Sequence, residues 1–112
     1  MSDKYLAGLF DGEGCVSYKA YMRKKQGAKK AYLTWNIQME ISMSDEATIR
    51  YVHDISQVGS VNKRIPHKTS FGKKIQWRWR CGYRDALKMA KLLIPHAHAK
   101  REKLQQIINH YE

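Results

Sequence analysis

From Gly14 onward apolar side chains fall on every second residue: Val16, Tyr18, Ala20 and Met22 alternate with Cys15, Ser17, Lys19, Tyr21 and Arg23. The same period returns where Leu33, Trp35, Ile37, Met39 and Ile41 alternate with Thr34, Asn36, Gln38 and Glu40. Successive side chains of a strand point to opposite faces, so this spacing predicts two strands, each apolar on one side and polar on the other. The polar run KKQGAKK at 24–30 is turn-like and joins them into a hairpin. A second hairpin is predicted from residues 60–66 and 74–82 around a basic loop containing Gly72, with Ile75, Trp77, Trp79 and Cys81 set against Gln76, Arg78 and Arg80. Elsewhere the period lengthens to that of a helix. Leu6, Leu9 and Phe10 form one stripe of a helix over 3–12 opened by Ser2. Ser44, Asp45 and Glu46 supply a helix start, followed by Ile49, Val52 and Ile55 and ending near Val58 and Gly59. Ala86, Leu87, Ala90, Leu93 and Ile94 mark a third helix, which Pro95 interrupts before the pattern resumes at Leu104, Ile107 and Ile108.

The order is therefore α-β-β-α-β-β-α-α. Because all four strands belong to hairpins, the expected fold is α+β, an antiparallel four-stranded sheet with the helices on its apolar face and the opposite face bare. That bare face would present Ser17, Lys19, Tyr21, Arg23, Thr34, Asn36, Gln38, Glu40, Asn62, Arg64, Gln76, Arg78 and Arg80. Arg and Lys neutralise phosphates or fork onto guanine, Asn and Gln pair with adenine, and a ribbon of strands fits the DNA major groove. Trp35, Trp77 and Trp79 share their face with aliphatic residues and are assigned to the core.

Charge strengthens this reading. The 112 residues are 43% hydrophobic, enough for one small core, and residues 1–112 are read as a single domain. Lys and Arg number 21 against 10 Asp and Glu, giving a formal charge of +11. Windows 19–39 and 55–84 contain no acid yet hold 14 of the 21 basic residues. Such segregation, in segments that read as strands, points to a polyanionic partner, and nucleic acid fits better than a membrane surface, which calls for a helix pairing a cationic face with a broad apolar one. No run of 18 apolar residues and no signal-peptide pattern occurs. Cys15 and Cys81 have neither zinc spacing nor the density of a disulfide scaffold, so a reducing, intracellular setting at DNA is expected.

Residues 6–14 read Leu-Ala-Gly-Leu-Phe-Asp-Gly-Glu-Gly, which resembles the LAGLIDADG signature of homing endonucleases, and the hairpins that follow are in that family's order. The resemblance extends over essentially the whole chain. It implies the αββαββα(α) homing-endonuclease fold, DNA on the bare sheet face, and a motif helix that packs on its counterpart. Ala7, Gly8, Asp11 and Gly12 form a face of small residues suited to such close packing. With one motif and no second copy after residue 60, the resemblance implies a homodimer bringing two Glu13 side chains together. It further implies that Glu13 and the Gly12 carbonyl bind Mg²⁺, with Mn²⁺ or Ca²⁺ as other occupants, for double-strand hydrolysis of a long, partly palindromic site in intron homing. No small-molecule cofactor is implied.

Ile94-Pro95-His96-Ala97-His98-Ala99-Lys100 looks like the family's Pro-containing segment that ends in a basic residue near the active site. Lys100 is carried over as catalytic, a cation for the transition state, and His98 as a contact to a backbone phosphate. His96 and His98 do not have a standard zinc spacing. Two positions depart from the family's pattern. Glu13 is one methylene longer than the usual Asp, and Met43 stands where many members have a Gln at the end of the second strand. The alternative function is a non-catalytic binder on the same scaffold, an intron-RNA splicing maturase or a DNA-binding regulator. An RNA-recognition sheet of the β-α-β-β-α-β type has a different element order, and its stacking aromatics should lie on the open face, where only Tyr21 is expected.

Overall fold

The stripe of Leu6 and Phe10 belongs to α1, Ser2–Glu13, in the computed structural model, which describes residues 2–24, 27, 29–65 and 75–112. It leads without a connecting residue into β1, Gly14–Arg23, and then come β2, Tyr32–Met43, and α2, Glu46–Ser56. The second half holds β3, Ser60–Arg64; β4, Gln76–Gly82; α3, Arg84–Leu93; a 3₁₀ turn at Ile94–His96; and α4, Arg101–Tyr111. The predicted order is thus found, with Pro95 inside the 3₁₀ turn that separates the last two helices. The basic loop containing Gly72 and the adjoining ends of the second hairpin, residues 66–74, lie outside the described residues, as do Lys25, Gln26 and Ala28 of the first turn.

The sheet is antiparallel in the order β1-β2-β4-β3. After β2 the chain crosses the apolar face as α2 and returns at the far edge as β3, and β4 fills the gap between. This crossover puts β2 and β4, the two strands richest in alternating large apolar residues, at the centre.

One core lies between the sheet and the helices. Val16, Ile37, Met39, Ile41, Trp79 and Cys81 enter it from the strands. Leu6 and Phe10 come from α1, Ile49 and Val52 from α2, Met89 and Leu93 from α3, Leu104 and Ile107 from α4. Burial of a full aliphatic or aromatic side chain contributes about 1.5–3 kcal/mol, and these contacts hold four short helices that would not persist alone. Trp79 is fully buried, and its indole Nε1–H donates to the Val58 carbonyl at 2.9 Å, so the large ring leaves no unpaired donor. The adjacent Gly59 has φ +85°, and a Cβ there would lie 2.6 Å from the Arg80 carbonyl oxygen. Trp35 and Trp77 are partly buried at the margins of the same core: Trp35 packs near Tyr18 and His110, and the Arg50 guanidinium lies over Trp77. All three tryptophans therefore sit on the helix side of the sheet.

Candidate nucleic-acid interface and the α1 terminus

Residues paired directly across an antiparallel ladder share a face. Ser17, Lys19 and Tyr21 of β1 stand opposite Gln38, Asn36 and Thr34 of β2, and Arg23 opposite Tyr32. Glu40 and Ser42 stand opposite Arg80 and Arg78 of β4. Asn62 and Arg64 of β3 stand opposite Arg78 and Gln76. All thirteen predicted strand residues thus lie on one surface, the one turned away from the helices.

Five further residues join them: Cys15, Tyr32, Ser42, Ser60 and Gly82. Tyr32 is one step before the alternation becomes obvious at Leu33, and extending the period of two backward would have found it. With Tyr21 and Tyr32 at 42% and 41% exposure, the open face carries two accessible aromatic rings rather than one.

Lys19, Arg23, Arg64, Arg78 and Arg80 set five cations on this face among the described strands, against the single acid Glu40. Glu40 Oε2 lies 3.3 Å from Arg80 Nη2 and 3.8 Å from Arg78 Nε. These pairs are partly solvated and stabilise the fold by at most about 1 kcal/mol each. Asn36 Nδ2 donates to Ser17 Oγ at 2.9 Å. Thr34 Oγ1, Arg78 Nε and Arg80 Nε are covered yet have no hydrogen-bond partner among the described residues. Cations on three of the four strands, with one acid among them, suit an anionic ligand.

At the edge of this face α1 ends. Glu13 is its last residue and is exposed. A Cβ at Gly14 would come within 2.5 Å of the Phe10 carbonyl oxygen, so only glycine lets the strand leave the helix this abruptly. Gly8 and Gly12 are both exposed, and a Cβ on either would meet nothing within 4 Å. Two glycines one turn apart therefore leave a bare strip of helix backbone.

The two other residues expected with that strip are engaged within the chain itself. Ala7 is 1% exposed and packs into the chain's own core beside Leu6 and Phe10, while Leu9, expected in the buried stripe, is only partly buried. The Asp11 carboxylate accepts the main-chain N–H groups of His98 at 2.8 Å and Lys100 at 3.0 Å. It thereby fastens the end of α1 to the turn that opens α4. Asp11→Ala removes both charge-assisted bonds and is expected to destabilise the fold by about 2 kcal/mol, a fall of about 10 °C in Tm for a domain of this size. Thermal unfolding followed by circular dichroism measures it, and an unchanged Tm would show that the tie carries no weight.

Lys100 is half-buried at the start of α4, and His98 is exposed. Met43 pairs with Trp77 on the helix side of the sheet, so it is Ser42 that reaches the open face at the end of β2. No cluster of three or more His, Cys, Asp or Glu able to hold a metal occurs among the described residues. The exposed Glu13 carboxylate and an adjoining main-chain carbonyl are hard oxygen donors of the kind Mg²⁺ and Ca²⁺ take, but one chain supplies too few to hold a cation alone. Cys81 is no nucleophile: burial, with Asp85 adding to it, pushes its thiol up to about 12. No described helix is long and apolar enough to cross a membrane.

A family model described as LAGLIDADG endonuclease matches residues 6–96. Among solved structures the fold is similar to the homing endonuclease I-CvuI in complex with the I-CreI target, at 16% identity and TM-score 0.74 over 96% of this chain and 63% of that one. It is also similar to the archaeal intron-encoded homing endonuclease I-Vdi141I complexed with DNA, at 10% identity and TM-score 0.70 over 96% and 64%. The group I intron-encoded homing endonuclease I-CeuI, complexed with DNA, aligns at 18% identity and TM-score 0.63 over 96% and 51%. The chain thus spans less than two thirds of the length of these three proteins. No curated protein matches the sequence.

Proposed function

The chain belongs to the LAGLIDADG endonuclease family, and from that premise we propose that it is a homing endonuclease that acts as a homodimer, cutting both strands of a long, partly palindromic DNA duplex inside the cell. The observation that carries this reading is the placement of Glu13: an exposed carboxylate ends the helix bearing Gly8 and Gly12, at the margin of the cationic sheet face.

Two helices meeting along their glycine strips bring two Glu13 side chains to a shared axis. Glu13 and the Gly12 carbonyl of each chain would be the protein's donors for Mg²⁺, or for Mn²⁺ or Ca²⁺ in its place. When bound, the cation supplies Lewis-acid stabilisation of charge at the phosphate and favours ionisation of the attacking water. The rest is the work of the chain. The sheet face of each subunit lies in the major groove and fixes register through phosphate and base-edge contacts. The Asp11 tie holds the Lys100 main chain beside the end of α1, where its ammonium offsets charge as the phosphate becomes pentavalent. The exposed imidazole of His98 contacts a backbone phosphate. Each subunit serves one strand.

The test uses a duplex made from the rejoined sequences that flank the gene, incubated with purified protein and Mg²⁺ or with EDTA. Two linear fragments with Mg²⁺, an intact duplex with EDTA, and two chains per duplex in sedimentation are expected. Binding without cleavage would assign the protein to the non-catalytic binders, and one chain per saturated duplex would remove the homodimer.

A further inference from the structure

Of the ten acids, only Glu40 stands on the open face of the described strands, and it stands near the centre, on β2 between β1 and β4. A carboxylate there repels the phosphates of any sequence and draws down the charge of two arginines. It weakens binding in general, so its benefit has to come from discrimination. Both of its ion pairs use Oε2, the closer at 3.3 Å from Arg80 Nη2, and Oε1 has no partner among the described residues. The Arg80 and Glu40 side chains are 42% and 30% exposed, so a ligand lying on the sheet reaches both.

In the major groove guanine presents two acceptors, O6 and N7, directly beside the N4 donor of its paired cytosine. A guanidinium touching a carboxylate is the complementary arrangement: a fork of donors beside an acceptor. We infer that Glu40 and Arg80 act as one unit that reads a single G·C pair in each half-site, Arg80 donating to guanine and Glu40 accepting from the cytosine N4. Arg78, whose Nε lies 3.8 Å from the same Oε2, is the positioning residue whose charge draws Glu40 toward β4. Cys15, two residues after Glu13, stands directly across the ladder from Glu40, so the pair that is read lies close to the cleavage centre. The inference rests on the DNA-binding reading above and adds which base pair these two side chains select.

The experiment is selection from a pool of duplexes with randomised central positions, in Ca²⁺, with the wild-type protein, Glu40→Gln and Arg80→Lys. The wild type is expected to enrich one G·C pair per half-site. Glu40→Gln, nearly isosteric, should lower that preference about tenfold or more while leaving preferences elsewhere in place. Arg80→Lys, which keeps the charge but loses the fork, should relax the same position, and a thermal melt of each variant confirms folding. Uniformly tighter binding by Glu40→Gln with an unchanged enriched sequence would overturn the inference and make Glu40 a charge brake. A wild-type protein that binds no duplex would instead overturn the function itself, and the two failures are distinct.

Discussion

Glu13→Gln is expected to lower Mg²⁺-dependent double-strand cleavage by about a thousandfold or more, about 4 kcal/mol of transition-state stabilisation. The substitution keeps the size and an oxygen of the side chain but removes the anionic charge, in the proposed homodimer from both chains at once. Glu13 is exposed at the end of α1 and takes part in no hydrogen bond or ion pair among the described residues, so folding should be unchanged. Duplex affinity should hold or rise slightly, because one negative charge per chain leaves the vicinity of the phosphates. Cleavage time courses and gel shifts in Ca²⁺ separate the two effects. Cleavage at the wild-type rate would sink the assignment of Glu13.

Gly8→Leu should produce opposite changes in the subunit and in the assembly. Gly8 is exposed and a side chain there meets open space, so the single subunit accommodates leucine. Replacing glycine inside a helix with a good helix former stabilises it by about 0.8 kcal/mol, and the Tm of the isolated subunit should rise by a few degrees. Two helix backbones can no longer approach along the strip that Gly8 shares with Gly12. Dimerisation on DNA should weaken by at least about a hundredfold, roughly 3 kcal/mol, and double-strand cleavage should disappear with it. Sedimentation with saturating duplex reads the first effect and fragment analysis the second. A variant that still places two chains on one duplex would show that the subunits meet elsewhere.

The strands and the composition of the open face were legible because the period of two leaves no choice: once Ile37, Met39 and Ile41 are assigned inward, Asn36, Gln38 and Glu40 face outward. Helix α1 was less determined. At about 100° per residue, Ala7 and Leu9 lie about equally far on either side of the Leu6–Phe10 line, so the periodicity does not say which of them is buried. The packing of the other elements against α1 decides it, and those contacts are made far along the chain. The tie made by Asp11 was hidden for a related reason: its partners are main-chain N–H groups 87 and 89 residues away, and a main-chain donor leaves no mark in the residue type. The strand order was also hidden, because two hairpins in sequence do not reveal that β4, rather than β3, pairs with β2.

The joint at Gly14 has a mechanical result. Helix and strand meet there with no loop to absorb rotation, so in a pair assembled through α1 the angle between the helices is transmitted whole to the two sheets. The molecule then behaves as a caliper whose opening is fixed by how its hinge pins are seated. Inserting or deleting base pairs between the half-sites demands a twist that the caliper cannot supply.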